Sequence, residues 1–225
     1  MIDSILADEC RALAATIAPE LGEQPLYLLD GDDLANVRRE PCNTLAYCDP
    51  QACAATRDFL IARGEWFGQG NVIVFSQSAI AVDCGNPRRA TLEVFLHEIC
   101  HLLPVMLPSP DREPTPLRRS IEKRRHLAFV TKPEQGIVAS DHGARFIRVA
   151  CHVWFRAVAS GFIPAAHWMF AGFTYGLSHP HEYLETLADE PMRMLACTFA
   201  EIQATPPPPA FTDLAADDLI KLEPA

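Results

Sequence analysis

Residues 94–104 read VFLHEICHLLP. Two histidines stand four apart, with a glutamate directly after the first. On an α-helix, residues i and i+4 are offset by about 40° and stack on one face. His97 and His101 can therefore point two imidazoles at one spot. Glu98 is turned by about 100° from His97 and lies beside the pair rather than in it. Leu92, Phe95, Leu96, Ile99 and Leu103 give the same helix a core face. Two imidazoles and a carboxylate within one turn of so apolar a helix are costly to bury without partners. The stretch predicts a helix held against a sheet and carrying chemistry. Its punctuation agrees: Asn86 as the cap, Pro87 in the first turn and Pro104 as the stop.

The spacing points to a metal. Zinc favours nitrogen ligands in four-coordinate geometry, and two imidazoles fill half its shell. A carboxylate beside them can take the proton of a water attacking a carbonyl. These are the mechanics of H-E-x-x-H, with His97 and His101 as ligands of one Zn2+ and Glu98 as general base. The longer motif that asks for Gly three and His six residues after the second histidine is excluded, because those positions are Pro104 and Leu107. Candidates for the third ligand are His142 in SDHGARF, Glu122, and Glu182 or Glu185 in HEYLETLAD. His142 has physical support of its own. Ser140 or Asp141 can cap a helix there, Gly143 permits close approach, and Phe146 and Val149 would anchor that helix in the core.

HEICHLL followed by HGARF resembles the SprT-like metallopeptidases. His97, Glu98 and His101 match their first motif; His142, Gly143 and Phe146 match the second, over roughly residues 70–160. The resemblance implies a zincin-like fold, His142 as the third zinc ligand, and hydrolysis of peptide bonds in a protein or peptide substrate. Two departures stand beside it. The gap from His101 to His142 is longer than a compact core of this kind needs. No C-x-x-C pair follows, so the zinc ribbon carried by many such proteins is absent. Two other functions share the motif: a zinc-stabilised scaffold without turnover, and a metal hydrolase acting on a non-peptide amide.

The rest of the chain supplies the frame. Strands are expected at 25–29, 44–48 and 71–76, the last, NVIVFS, being a β-branched run behind two glycines. Helices are expected from the N-terminus to near Pro19, over 49–64 with an Asp cap and a closing Gly64, over 86–104, and over 141–161 with Gly161 as the end. A final helix from Pro180 is expected to be interrupted at Pro191. Prolines at 104, 108, 110, 114 and 116 make that stretch extended, and a short helix is expected after it. This is α+β: a small mixed β-sheet packed on the histidine helix, then a helical C-terminal half. One domain is expected over 1–205, with a Pro-rich spacer and acidic tail over 206–225.

The 225 residues are 49% hydrophobic, enough for a real core, and the formal net charge is −10. Such a chain repels a phosphate backbone, so nucleic acid is not an expected partner. The one basic cluster, RRSIEKRRH at 118–126, reads as a solvated helix face. No apolar run is long enough to span a bilayer. Asp3, Asp8 and Glu9 stand where a signal peptide would be positive, so a cytoplasmic protein is expected. The eight cysteines, Cys42, Cys48 and Cys53 included, read as free buried thiols rather than a metal site. His126, His152, His167, His179 and His181 read as packing residues. The stretch holding His179 and His181, with Tyr175 and Tyr183, could supply a donor to an oxyanion.

Overall fold

A strand covered on both faces is apolar along its whole length, and Asn71–Phe75 is buried at all five positions. It is the middle strand of a three-stranded mixed sheet in a computed structural model that describes residues 2–34, 45–49, 52–83, 85–106, 144–165, 169, 180–187 and 189–214. In chain order the elements are α1 (Ser4–Ile17), a 3-10 turn (Pro19–Glu23), β1 (Leu26–Asp30), α2 (Gly31–Leu34), β2 (Ala46–Asp49), α3 (Ala54–Ala62), β3 (Asn71–Phe75), α4 (Gln77–Asp83), α5 (Pro87–Met106), α6 (Ala144–Ala159), α7 (Pro180–Leu187), α8 (Glu190–Arg193) and α9 (Phe199–Ala204). The fold class is α+β, mostly helical. Among the described residues, no helix is long and apolar enough to cross a membrane.

The sheet runs β1-β3-β2, with β1 parallel and β2 antiparallel to β3. Side chains alternate between its two faces. Leu28, Ala46, Cys48, Ile73 and Phe75 join the main core with α1, α5 and α6. Tyr27, Leu29, Val72 and Val74 turn the other way and pack with Leu34 of α2 and Leu60 of α3. The histidine helix α5 lies on the first face, against β2 and β3, and also packs on α1, α4 and α6.

Local chemistry sets the helix ends. Asp3 caps α1, its Oδ1 accepting from the Ile5 and Leu6 amides at 2.8 and 3.3 Å. Of the three acidic residues near the start, Asp3 is the cap, while Asp8 pairs with Arg11 and Glu9 with Arg88. Asn86 Oδ1 accepts from the Arg89 amide at 3.1 Å and opens α5. α6 closes on Gly161, at φ 91°, where the Gly161 amide donates to Val158 C=O at 3.0 Å and the Phe162 amide to Ala157 C=O at 2.9 Å. That pair of bonds is the Schellman motif.

Four expectations are corrected. α5 runs through Pro104 to Met106. A proline in the last turn costs one main-chain bond to the preceding turn, and the helix needs two further residues only. α3 begins at Ala54, not at Asp49; Asp49 belongs to β2 and uses Oδ2 to accept the Cys53 amide at 2.7 Å. The last helix is three short ones. Pro191 stands in the first turn of α8, where its missing N–H is harmless, and Thr198 with Glu201 forms a capping box that restarts the chain as α9. Beyond 205, where a spacer was expected, residues 209–214 are helical and Phe211 is buried against Tyr183, ring centroids 5.4 Å apart. The expected elements between 107 and 143 lie outside the described residues.

Candidate metal centre

α5 brings His97 and His101 together as their spacing requires. Their Nε2 atoms are 3.3 Å apart. Two nitrogens each about 2.0–2.1 Å from one zinc, at the tetrahedral angle, stand about 3.3–3.4 Å apart. The His97 Nδ1 lies 3.1 Å from the main-chain carbonyl of Met169. A carbonyl can only accept, so Nδ1 carries the proton and Nε2 presents its lone pair toward His101. This is how a protein usually holds a metal-binding imidazole: the far nitrogen is tied to a carbonyl and the near one is left basic. The pair fits a zinc ion in chemistry and spacing.

Phe146 of α6 closes one side. Its ring centroid is 5.1 Å from that of His97 and 4.4 Å from that of His101. The packing of α6 on α5 therefore runs through the imidazoles themselves.

Glu98 is 6% exposed. Burial pushes its carboxyl up to about 8, and hydrogen bonds from the main-chain N–H and the thiol of Cys48 oppose that shift. The strand pairing explains how Cys48 reaches it. The Ser76 amide donates to Leu45 C=O at 2.8 Å, and the register pairs Tyr47 with Val74 and Cys48 with Ile73. In an antiparallel ladder alternate residues exchange both bonds. Leu45, Tyr47 and Asp49 thus face β3, while Ala46 and Cys48 turn their main-chain groups outward, beside Glu98. Positive charge near a buried carboxyl favours its ionised form, so an ion between the histidines would restore the charge that burial opposes.

Of the candidate third ligands, His142 and Glu122 lie outside the described residues. Glu182 and Glu185 are on α7 with exposed side chains. Among the described residues no three of His, Cys, Asp and Glu group as a metal site. His152, expected to be a packing residue, is fully buried and has an ionic partner: its Nε2 is 2.9 Å from Glu190 Oε1. Tyr183 is buried on α7 rather than placed in an irregular stretch. Burial pushes the Cys10 thiol up to about 12 and raises those of Cys100 and Cys151 strongly, so these thiols stay neutral and are poor ligands.

No protein-family model matches the chain, and searches of curated proteins and of solved structures find no match either. The site is therefore read from its own geometry.

That geometry includes residues the motif does not spell. Arg89 and Glu93 precede His97 by two turns and one turn, so Arg89, Glu93, His97 and His101 form one polar stripe at i+4 intervals along α5. The stripe was visible in the sequence as a repeat of polar positions on an apolar helix. The Met169 carbonyl and the outward N–H of Cys48 are main-chain groups, which no residue identity announces.

Proposed function

We propose that this chain is a zinc-dependent hydrolase of peptide bonds on a zincin-like version of its α+β fold. His97 and His101 hold the ion and Glu98 is the general base. The observation that carries the reading is the pair of Nε2 atoms at 3.3 Å, one of them fixed as a lone pair by the Met169 carbonyl. His142 is proposed as the third ligand. Four residues of chain, at most about 14 Å, separate it from Phe146, which touches both imidazoles.

A zinc ion bound there would supply a Lewis acid able to acidify water and polarise a carbonyl. Everything else is done by the chain. Cys48 holds the Glu98 carboxylate against β2. Glu98 Oε takes a proton from the attacking water and passes it to the nitrogen of the leaving amine. β2 stands at an edge of the sheet among the described residues, with Ala46 and Cys48 turned outward. The main-chain N–H of Cys48 is engaged by Glu98, which leaves Ala46 as the outward N–H of β2 beside the site; the peptide bond is proposed as the substrate on the motif alone.

The test is Glu98→Gln, which keeps size and removes the base. Elemental analysis should find about one zinc per chain in both wild type and variant. Cleavage of unfolded protein substrates should fall by about 100-fold or more in the variant. A variant that loses its zinc would make Glu98 a ligand and overturn the assignment; a wild type that binds zinc and cleaves nothing would leave a zinc-stabilised scaffold.

A further inference from the structure

We propose that Glu93, together with Arg89, is a positioning residue for His97, acting through the segment that presents the Met169 carbonyl. The inference rests on the reading of His97 as a zinc ligand. Glu93 lies one turn before His97, and its side chain is 4% exposed. Its Oε1 accepts from Arg89 Nε at 3.1 Å and from the Ala165 amide at 3.0 Å. Arg89, through its terminal guanidinium nitrogen, donates to Ile163 C=O at 2.7 Å. The Met169 amide donates to Ala165 C=O at 3.3 Å, and Met169 C=O receives the His97 Nδ1–H at 3.1 Å. The path leaves α5 at Glu93, crosses to the chain after α6, and returns to α5 at His97.

A buried carboxylate is costly, and a cation 56% exposed offsets that cost only in part. Mere packing at position 93 would be met by leucine. What the carboxylate adds is a fixed acceptor for the main-chain N–H of Ala165, one turn of chain before Met169. The carbonyl at the far end of that segment decides which nitrogen of His97 faces the ion. Loss of the strut frees the segment, lets the carbonyl drift, and returns His97 to a mixture of tautomers and ring positions. A group bonded directly to a ligand, as the Met169 carbonyl is to His97, typically changes metal affinity by about 10–100-fold; Glu93 acts through that group, so its effect is smaller.

The experiment measures zinc affinity of the full chain by competition with a chromophoric chelator, beside the visible spectrum of the cobalt-substituted protein. Glu93→Ala should bind zinc about 3–10-fold more weakly, with helical circular dichroism retained and the cobalt bands shifted. Glu93→Gln should recover most of the affinity, since its amide oxygen still accepts from Ala165. Arg89→Ala, at an exposed position that does not threaten folding, should weaken zinc by a smaller factor. If Glu93→Ala fails to fold, Arg89→Ala decides: weaker zinc supports the strut, and unchanged zinc overturns it. Wild-type affinity and spectrum in both alanine variants overturn it as well, even if their melting temperatures fall. His97→Ala separates the two readings. If it keeps wild-type affinity, the metal centre itself is misassigned and the inference goes with it. If it loses zinc while the strut variants keep it, the strut alone is wrong.

Discussion

At the scale of the residue, the proposed metal centre turns on one ring nitrogen, His97 Nδ1. Its bond to the Met169 carbonyl fixes the tautomer, and the 3.3 Å between the two Nε2 atoms then has the spacing of a shared ion. Two imidazoles alone hold zinc weakly, so the third ligand is the sharpest prediction at this scale. His142→Ala should lower zinc affinity by orders of magnitude. Glu122→Ala, Glu182→Ala and Glu185→Ala should each leave it within about tenfold, as changes beyond the ligands do. A zinc-bound crystal structure with a carboxylate on the metal and His142 away from it would put a glutamate-type site in place of the three-histidine one. His97, Glu98 and His101 could be proposed from the sequence because their chemistry is in their side chains and their spacing is local, and the structure brings the two histidines together. Glu93 stood in the sequence as a polar position on the helix, but its bond to Ala165, 72 residues away, did not show there, nor did the reach of Cys48 to Glu98, which depends on strand register.

Elements with strong periods or clear punctuation were legible. The three strands, α1, α5 and α6 all lie where apolar runs and caps placed them, because each buries enough surface for its pattern to show. α2 and α4, of four and seven residues, were not expected. A helix of under two turns shows no period, and these two are held by the sheet and by α5 rather than by their own sequences. Pro191 was read as an interruption, and one helix does end at Leu187 and another begin at Glu190 with the proline in its first turn; Pro104 was read as the stop, and α5 ends two residues after it. Gly161 was read correctly, and its role is measurable. Gly161→Ala should destabilise the protein by about 1–2 kcal/mol in urea unfolding, the cost of placing a Cβ in left-handed backbone. Gly22→Ala serves as the comparison: no positive φ is found there and a Cβ would meet nothing within 4 Å, so a shift under about 0.5 kcal/mol is expected. Equal losses at both positions would show that the Schellman geometry is not what Gly161 provides.

At the scale of the molecule, the C-terminal half is fastened by buried ions. Glu190 Oε1 on α8 meets Arg148 Nε at 2.7 Å and His152 Nε2 at 2.9 Å, both from α6, and Arg148 reaches Thr205 C=O at 2.8 Å after α9. Arg156 ties the end of α1 to the turn before α9, donating to Ile17 C=O at 2.9 Å and to Cys197 C=O, with its guanidinium 4.3 Å above the Phe199 ring. The charges facing His152 are Glu190, Arg148 and Arg156. Burial lowers its affinity for a proton, and the bond to Glu190 opposes that only in part. The unfolded chain therefore takes up a proton near pH 6.5 that the folded chain refuses. Stability from this group is present in full above that pH and declines as pH falls below it. Glu98, whose carboxyl burial pushes up to about 8, contributes the opposite slope in the same window, so the readout is the difference between two proteins: from pH 7 to pH 5 wild type should lose stability relative to His152→Gln, and equal slopes in the two would count against the assignment. The sheet, meanwhile, divides the interior. The imidazoles, Glu98 and their supports all stand on the α5 side, while Tyr27, Leu29, Val72, Val74 and Leu60 fill the α3 side with no part in the site. A change on the α3 side can thus be answered by repacking among those side chains alone, whereas a change on the α5 side also shifts the two imidazoles and Glu98, so the sheet acts as a partition between two kinds of constraint.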